Sequence, residues 1–187
     1  MKIGICNDHA GVEYKNQLVE YLTGKGHEMV NFGTDTTASM DYPDVAHPLA
    51  EAVESGQVDL GIAFCGTGNG IGITLNKHQG IRAGLCWTPE IGRLIKQHNN
   101  ANVLVMPARF IPFETVTAIT DAWLNEEFEG GRHQRRVDQI TEIEEMNIRD
   151  FAAIVLYAMG IQPPEFDEMG WTSQIPYGMF VDYEGEY

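Results

Sequence analysis

Positive charge is scarce in this chain, cysteines are few, and no apolar run is long, and each shortage excludes something. Twelve Lys and Arg stand against twenty-seven Asp and Glu over 187 residues, a formal net charge of −15. That balance repels polyanions, so neither nucleic acid nor an anionic membrane surface is expected as a partner. The three cysteines form no close C-x-x-C pair, which argues for a reducing compartment and against a disulfide scaffold. No stretch approaches the roughly 20 apolar residues of a membrane span. The opening Met1-Lys2-Ile3-Gly4-Ile5-Cys6 reads as a strand and lacks a signal-peptide layout, so a cytoplasmic protein is expected. There is no internal repeat and no low-complexity segment. The length suits one domain with a substantial core.

What is present alternates. Strand-like runs at Lys2–Cys6, Glu28–Phe32, Leu60–Phe64, Arg82–Trp87 and Asn102–Met106 are separated by helical patterns near Val12–Gly24, Pro43–Ser55, Gly70–Lys77 and Glu90–His98. A further helix near Pro112–Glu126 follows the fifth strand. Alternating β and α elements predict an α/β fold, a five-stranded parallel sheet covered by helices on both faces. Ligands of such sheets bind at the carboxyl ends of the strands. That edge collects Asp8 and His9 after the first strand, Cys65 and Thr67 after the third, Cys86 after the fourth and Arg109 after the fifth.

The segment Cys65-Gly66-Thr67-Gly68-Asn69-Gly70 is the most informative. A thiol ends a buried strand, and three glycines let backbone N–H groups approach a ligand before a helix begins at Ile71 and Gly72. Unsatisfied amides and the helix dipole favour negative charge at such a place. The same field lowers a cysteine pKa from about 8.5 towards neutrality. The pattern is neither the dinucleotide fingerprint nor the P-loop. The scarce cations also cluster: three of the twelve lie in Arg132-His133-Gln134-Arg135-Arg136, and a small anion bound locally would explain their concentration. Arg132 and Arg136 stand one helical turn apart and share a face. His133 and Arg135 are expected to be exposed and turned away from them. Val137, Ile140, Ile143 and Met146 then form an apolar stripe on a long helix reaching Asp150, which must cover this sheet or a second subunit.

With these pieces in order, the sequence resembles the ribose-5-phosphate isomerase B family, which includes the galactose-6-phosphate isomerase subunits. The matching residues are Asn7-Asp8-His9-Ala10-Gly11, Asp41-Tyr42-Pro43, Cys65 to Gly72, Asn76-Lys77, Gly80-Ile81-Arg82-Ala83, Gln97-His98-Asn99, Asn102-Val103-Leu104 and Glu129 to Val137. They cover the chain to about residue 147. The resemblance implies a Rossmann-like three-layer domain forming homodimers, or dimers of dimers, with active sites built from both subunits. It implies metal-free and cofactor-free interconversion of an aldose phosphate and its ketose through a cis-enediolate.

By the same resemblance, Cys65 is the general base and Thr67 the hydroxyl beside it. His98 assists ring opening, with Asp8 on the opposite side. His9, Arg109, Arg132 and Arg136 clamp the phosphate, for which the planar guanidinium fork is suited. The loop Gly66, Gly68, Asn69, Gly70, Ile71 and Gly72 stabilises the enediolate through its N–H groups. A second branch of the family uses a carboxylate six residues after the cysteine position; Ile71 stands there, placing this chain in the cysteine branch.

Ribose 5-phosphate is the default substrate, with a hexose 6-phosphate or another pentose phosphate as the alternative. A sugar-phosphate-binding protein without catalysis would need the arginines and the loop but not Cys65, Thr67 and His98 together. A thiol redox protein is disfavoured, because no resolving cysteine lies near Cys65 in sequence. Cys6 and Cys86 are expected to pack without chemistry, and His27, His47 and His78 to lie at the surface or at caps. Asp41, Asp44 and His47 have metal-like types, but Pro43 makes a substrate-side loop the better reading, and no metal is assigned.

The isomerase domain is expected over 1–149. Residues 150–187 change character, with seven acidic residues, no Lys or Arg, and eight of the eighteen aromatics. Such an extension is expected to pack on the body or on a partner subunit, burying Trp171 and Tyr177.

Overall fold

The structure is a computed structural model that describes residues 1–142 together with Val155 and Leu156. Met1–Thr141 form one compact unit. The expectations for 150–187, including burial of Trp171 and Tyr177, lie outside the described residues, as do Ile143 and Met146.

Five strands, β1 (Lys2–Asn7), β2 (Glu28–Asn31), β3 (Leu60–Cys65), β4 (Ala83–Leu85) and β5 (Val103–Pro107), alternate with five helices. These are α1 (Val12–Gly24), α2 (Pro43–Glu54), α3 (Asn69–Leu75), α4 (Pro89–Asn99) and α5 (Phe113–Leu124). The strands pair in the order β2-β1-β3-β5-β4, all parallel. The α/β reading from the sequence therefore holds. Boundaries shift by at most two residues: β4 ends at Leu85 rather than Trp87, α3 at Leu75 rather than Lys77, and α5 at Leu124 rather than Glu126.

Period-two alternation decides which side chains meet which helices. Ile3, Ile5, Ile62, Phe64, Leu104 and Met106 point to one face, where Leu18 and Leu22 of α1 and Val116, Ile119 and Trp123 of α5 cover them. Cys6, Ala63, Cys65, Val103 and Val105 point to the other, under Val45, Leu49, Ile71 and Leu75 of α2 and α3. The result is a three-layer sandwich. Burying each large aliphatic or aromatic side chain of this kind contributes about 1.5–3 kcal/mol.

Local signals set the helix ends. Thr88 caps α4 by accepting the Ile91 N–H at 3.3 Å, with Pro89 in the first turn. Gly92 lets α4 approach α5, since a Cβ there would meet the Ile119 carbonyl at 2.9 Å. Lys15 is buried, with Nζ donating to the Thr34 carbonyl and paired with Asp35, and so ties the segment after β2 to α1. Residues 132–142 are helical, as expected, and no described helix is long and apolar enough to cross a membrane.

Candidate active site

Parallel strands with helical returns place every strand end with care. The carboxyl ends of β1, β3 and β5 lie side by side, since Asn7 pairs with Phe64 and Cys65 with Pro107. Cys65 is the last residue of β3 and is only 4 % exposed. The Gly68 N–H donates to its Sγ at 3.1 Å. That geometry needs glycine. Gly68 has φ +77°, and a Cβ there would come within 2.4 Å of Leu85 Cδ1.

The next amides complete the cradle. Asn69 N–H donates to Thr67 Oγ1 at 3.3 Å, and Gly72 N–H to the Gly68 carbonyl at 3.1 Å. Gly72 is thereby committed to the helix ladder. Gly70 and Ile71 are first-turn amides of α3, which have no acceptor within their own helix. The Tyr42 ring lies against Gly70, where a Cβ would meet Cζ at 2.7 Å. The Ile71 side chain is fully buried in the α2–α3 layer and takes no part in chemistry.

Asp8 sits beside this loop, its N–H donating to the Phe64 carbonyl at 3.1 Å and its Oδ1 accepting from Ala10 N–H at 2.9 Å. His9 follows, and its Nδ1 is buried without a hydrogen-bond partner among the described residues. The Arg109 N–H donates to the Gly66 carbonyl at 3.1 Å, and its side chain crosses Gly66, with Cδ 3.5 Å from where a Cβ would stand. One edge of the sheet therefore gathers a thiol, a carboxylate, an unpartnered imidazole nitrogen, a hydroxyl and a guanidinium. Cys6 is buried next to them. Burial first, then the neighbouring Cys65 and Asp8, push its thiol well above the ordinary range, so it adds no negative charge. Cys86 is likewise buried, and burial pushes it up to about 12.

His98 lies elsewhere. It is in the last turn of α4, which carries the chain back from the carboxyl edge of β4 to the start of β5. Asn102, four residues on, accepts from Gly61 N–H at the beginning of β3. Cys65 and His98 are thus at opposite edges of the sheet, separated by about 16 Å of strand. Arg132 goes with His98, since Glu129 N–H donates to the Gln97 carbonyl at 3.0 Å just before the helical stretch 132–142. Within one protomer the expected site residues fall into two groups: Cys65, Thr67, Asp8, His9 and Arg109 at one edge, His98, Arg132 and Arg136 at the other.

Two further residues, His133 and Glu129, belong to the second group. His133 is buried, 5 % exposed, rather than turned out to solvent, because its ring stacks on His98 with centroids 4.2 Å apart and planes 3° from parallel. Arg132, Gln134, Arg135 and Arg136 are the exposed members of that turn. Arg132 Nε donates to His133 Nε2 at 3.3 Å. Glu129 Oε2 lies 3.6 Å from His133 Nε2 and 3.9 Å from His98 Nε2. Of the apolar stripe, Val137 is buried and Ile140 is 48 % exposed. The signal for His133 was its i to i+4 relation to Val137, which marks a shared buried face.

His98, Glu129 and His133 bring one possible ligand atom each within 4.8 Å. An imidazole lone pair lies in its ring plane, and two parallel planes do not intersect at one ion, so this stack does not form a metal site. His47 and His78 form a separate surface pair, Nδ1 to Nε2 at 2.7 Å, with Glu54 against His78. His27 is half-buried, and its Nδ1 has no hydrogen-bond partner among the described residues. A surface groove of about 320 Å³ runs between α3 and β4, lined by Gly68, Ile73, Lys77 and Leu85 among others. It meets the Cys65 loop at Gly68, Asn69 and Gly72, but neither Cys65 nor Asp8 lines it.

Comparison with known proteins places this geometry. The family described as Ribose/Galactose Isomerase matches residues 3–140. Ribose-5-phosphate isomerase B of Escherichia coli is 45 % identical over 144 residues, covering 77 % of this chain and 97 % of that protein. D-erythrulose-4-phosphate isomerase of Pectobacterium atrosepticum is 39 % identical over 141 residues, covering 75 % and 93 %. The crystal structure of ribose-5-phosphate isomerase B from Mycoplasma genitalium with bound ribulose-5-phosphate superposes with a TM-score of 0.74 at 40 % identity, covering 77 % of this chain and 96 % of that one.

Proposed function

The chain belongs to the ribose/galactose isomerase family, and we infer from that premise that it is an aldose–ketose isomerase acting on a sugar phosphate, by default interconverting ribose 5-phosphate and ribulose 5-phosphate. The observation that carries the reading is the Cys65 sulfur at a strand end, held by the Gly68 N–H at the residue that opens α3.

The steps follow from the groups present. The furanose opens when the bond from C1 to the ring oxygen breaks. His98 gives the ring oxygen a proton, and Asp8 takes the proton of the anomeric hydroxyl as C1 becomes an aldehyde. Cys65 as thiolate then removes the C2 proton, leaving an enediolate whose negative oxygen meets the amides of the loop. The Cys65 thiol returns a proton to C1, the O2 proton passes to O1, and the ketose remains. Thr67 Oγ1 already accepts from Asn69 N–H and presents its own O–H to a substrate oxygen. No step needs a metal or a redox partner. We place this reaction in the cytoplasm, where the buried free thiols Cys6, Cys65 and Cys86 remain reduced.

A substrate that loses a proton to Cys65 while His98 opens its ring must touch both edges of the sheet. One protomer does not bring them together, so a second copy supplies His98, Arg132 and Arg136 to the first copy's Cys65, and the reverse. Trp87 and Phe110, 51 % and 70 % exposed beside the carboxyl edge, are large apolar groups suited to cover by that second copy.

The arginines and His98 should separate kinetically. Arg136→Ala chiefly raises KM and weakens inhibition by inorganic phosphate, roughly ten- to a hundredfold for the loss of charge-assisted bonds worth about 1.5–3 kcal/mol. Arg132→Ala does the same and also frees His133. His98→Ala loses turnover on cyclic ribose 5-phosphate while open-chain ribulose 5-phosphate is still consumed. An equal loss on both substrates would contradict a ring-opening role.

An assay of the chelator-treated protein across pentose, hexose and tetrulose phosphates, in both directions, tests the substrate assignment. The tetrulose arm is included because one relative is named for erythrulose 4-phosphate. Activity on none of them would favour a protein that only binds sugar phosphates. The aromatic, acidic segment 150–187 is proposed to limit which substrates the active site accepts. Truncation after Arg149 should then broaden substrate preference, and an unchanged preference would show the segment to be incidental.

A further inference from the structure

We propose that Glu129 is a positioning residue for ring opening, its carboxylate holding the His98 imidazole so that Nε2 keeps its hydrogen towards Glu129 and Nδ1 exchanges the proton with the sugar. The inference rests on the ring-opening reading of His98 and extends it to a residue with no other assigned part.

Three observations carry it. Glu129 Oε2 is 3.9 Å from His98 Nε2, so a side-chain rotation of about 1 Å makes a full hydrogen bond, and catalytic contacts commonly tighten this way once substrate binds. The same oxygen is 3.6 Å from His133 Nε2, but that nitrogen already accepts the Arg132 Nε hydrogen at 3.3 Å. An imidazole nitrogen that accepts carries no hydrogen of its own, so His133 has none to offer Glu129 through Nε2. Burial, then His98, Arg132 and Arg136, also hold the His133 pKa below the usual histidine range and outweigh the opposite pull of Glu129, which favours the neutral ring. His98 is therefore the ring the carboxylate serves. Third, His133 stacks flat on His98 at 4.2 Å, which fixes the plane of the ring but not which of its two flipped orientations about the Cβ–Cγ bond it takes. A partner that takes the Nε2 hydrogen, as Glu129 does here, selects one of the two and so sets which nitrogen faces the substrate. The backbone supports this role: Glu129 N–H is anchored on the Gln97 carbonyl, one residue before His98.

The two directions of the reaction separate positioning from structure. Ribose 5-phosphate is mainly a furanose, whereas ribulose 5-phosphate has its C5 oxygen phosphorylated and stays open-chain. Glu129→Ala is expected to lower kcat on ribose 5-phosphate about tenfold with KM within about twofold, while consumption of ribulose 5-phosphate stays within about twofold. Glu129→Gln keeps an acceptor oxygen in the same place and should recover most of the loss. Equal losses on both substrates, a raised KM alone, no loss, or a Gln variant no better than Ala would overturn the proposal. His98→Ala, measured in parallel, tells the two readings apart. If it shows the furanose-selective loss and Glu129→Ala does not, only the role of Glu129 fails. If His98→Ala shows no such selectivity, the ring-opening reading fails and this proposal with it.

Discussion

Replacing Cys65 by alanine is expected to lower kcat by about 10²-fold or more, the usual cost of removing a positioned base, and to leave affinity for inorganic phosphate nearly unchanged. The two effects separate because the groups are different: Cys65 ends β3, while the proposed clamp consists of His9, Arg109, Arg132 and Arg136. Folding should tolerate the change, since alanine fills most of the buried volume of cysteine. Neither other thiol can take over. Cys6 faces the same core but burial keeps it protonated, and Cys86 is pushed up to about 12. Cys65→Ser should fare little better than alanine, because a serine hydroxyl is far less ionised at neutral pH than a thiol. Turnover near that of the unaltered protein, measured alongside phosphate titration, would remove Cys65 from the mechanism.

Mixing two inactive variants is expected to restore activity. In the proposed dimer, Cys65→Ala alone lacks the proposed base in both sites, and His98→Ala alone lacks the proposed ring-opening residue in both. A dimer with one chain of each kind has one site with both substitutions and one with neither. Random assembly makes about half of the dimers mixed, so roughly a quarter of normal activity on ribose 5-phosphate should return. The expectation follows from the placement of Cys65 and His98 at opposite edges of the sheet. If both residues acted within one protomer, mixing would restore nothing. A co-purified pair of differently tagged chains, assayed against each parent, makes the comparison.

How much of this was legible in the sequence differs by element. The strands announced themselves, because Lys2–Asn7, Leu60–Cys65 and Val103–Pro107 are short apolar runs closed by polar or turn residues. Their parallel arrangement followed from the helices between them. β4 was read too long, since Cys86 bonds to β5 through Cys86 N–H and Val105 O past the point where regular pairing stops. The Cys65 loop was legible because the requirement for glycine at Gly68 is local, set by a positive φ and by the nearness of Leu85.

What the sequence hid depends on contacts between distant segments. His133 looked like one more polar residue among arginines, and nothing within its own helix revealed that His98, thirty-five positions earlier, would stack on it. Glu129 was visible only as part of a matching motif, since its meaning comes from distances to two rings. The separation of the site into two edges was implied by the resemblance, yet it follows physically only once α4 is seen to run back across the sheet. Charge clustering was a fair guide to Arg132 and Arg136, which are exposed on one face.

The most direct measurement is isomerisation of ribose 5-phosphate in D₂O by protein treated with a chelator. Proton transfer through Cys65 and an enediolate predicts ribulose 5-phosphate carrying deuterium at C1, since a proton held on the thiol exchanges with solvent before it returns. The rate should be unaffected by removing divalent metal. Product with no deuterium at C1, formed only when a divalent ion is added back, would mean a hydride shift and would contradict the account.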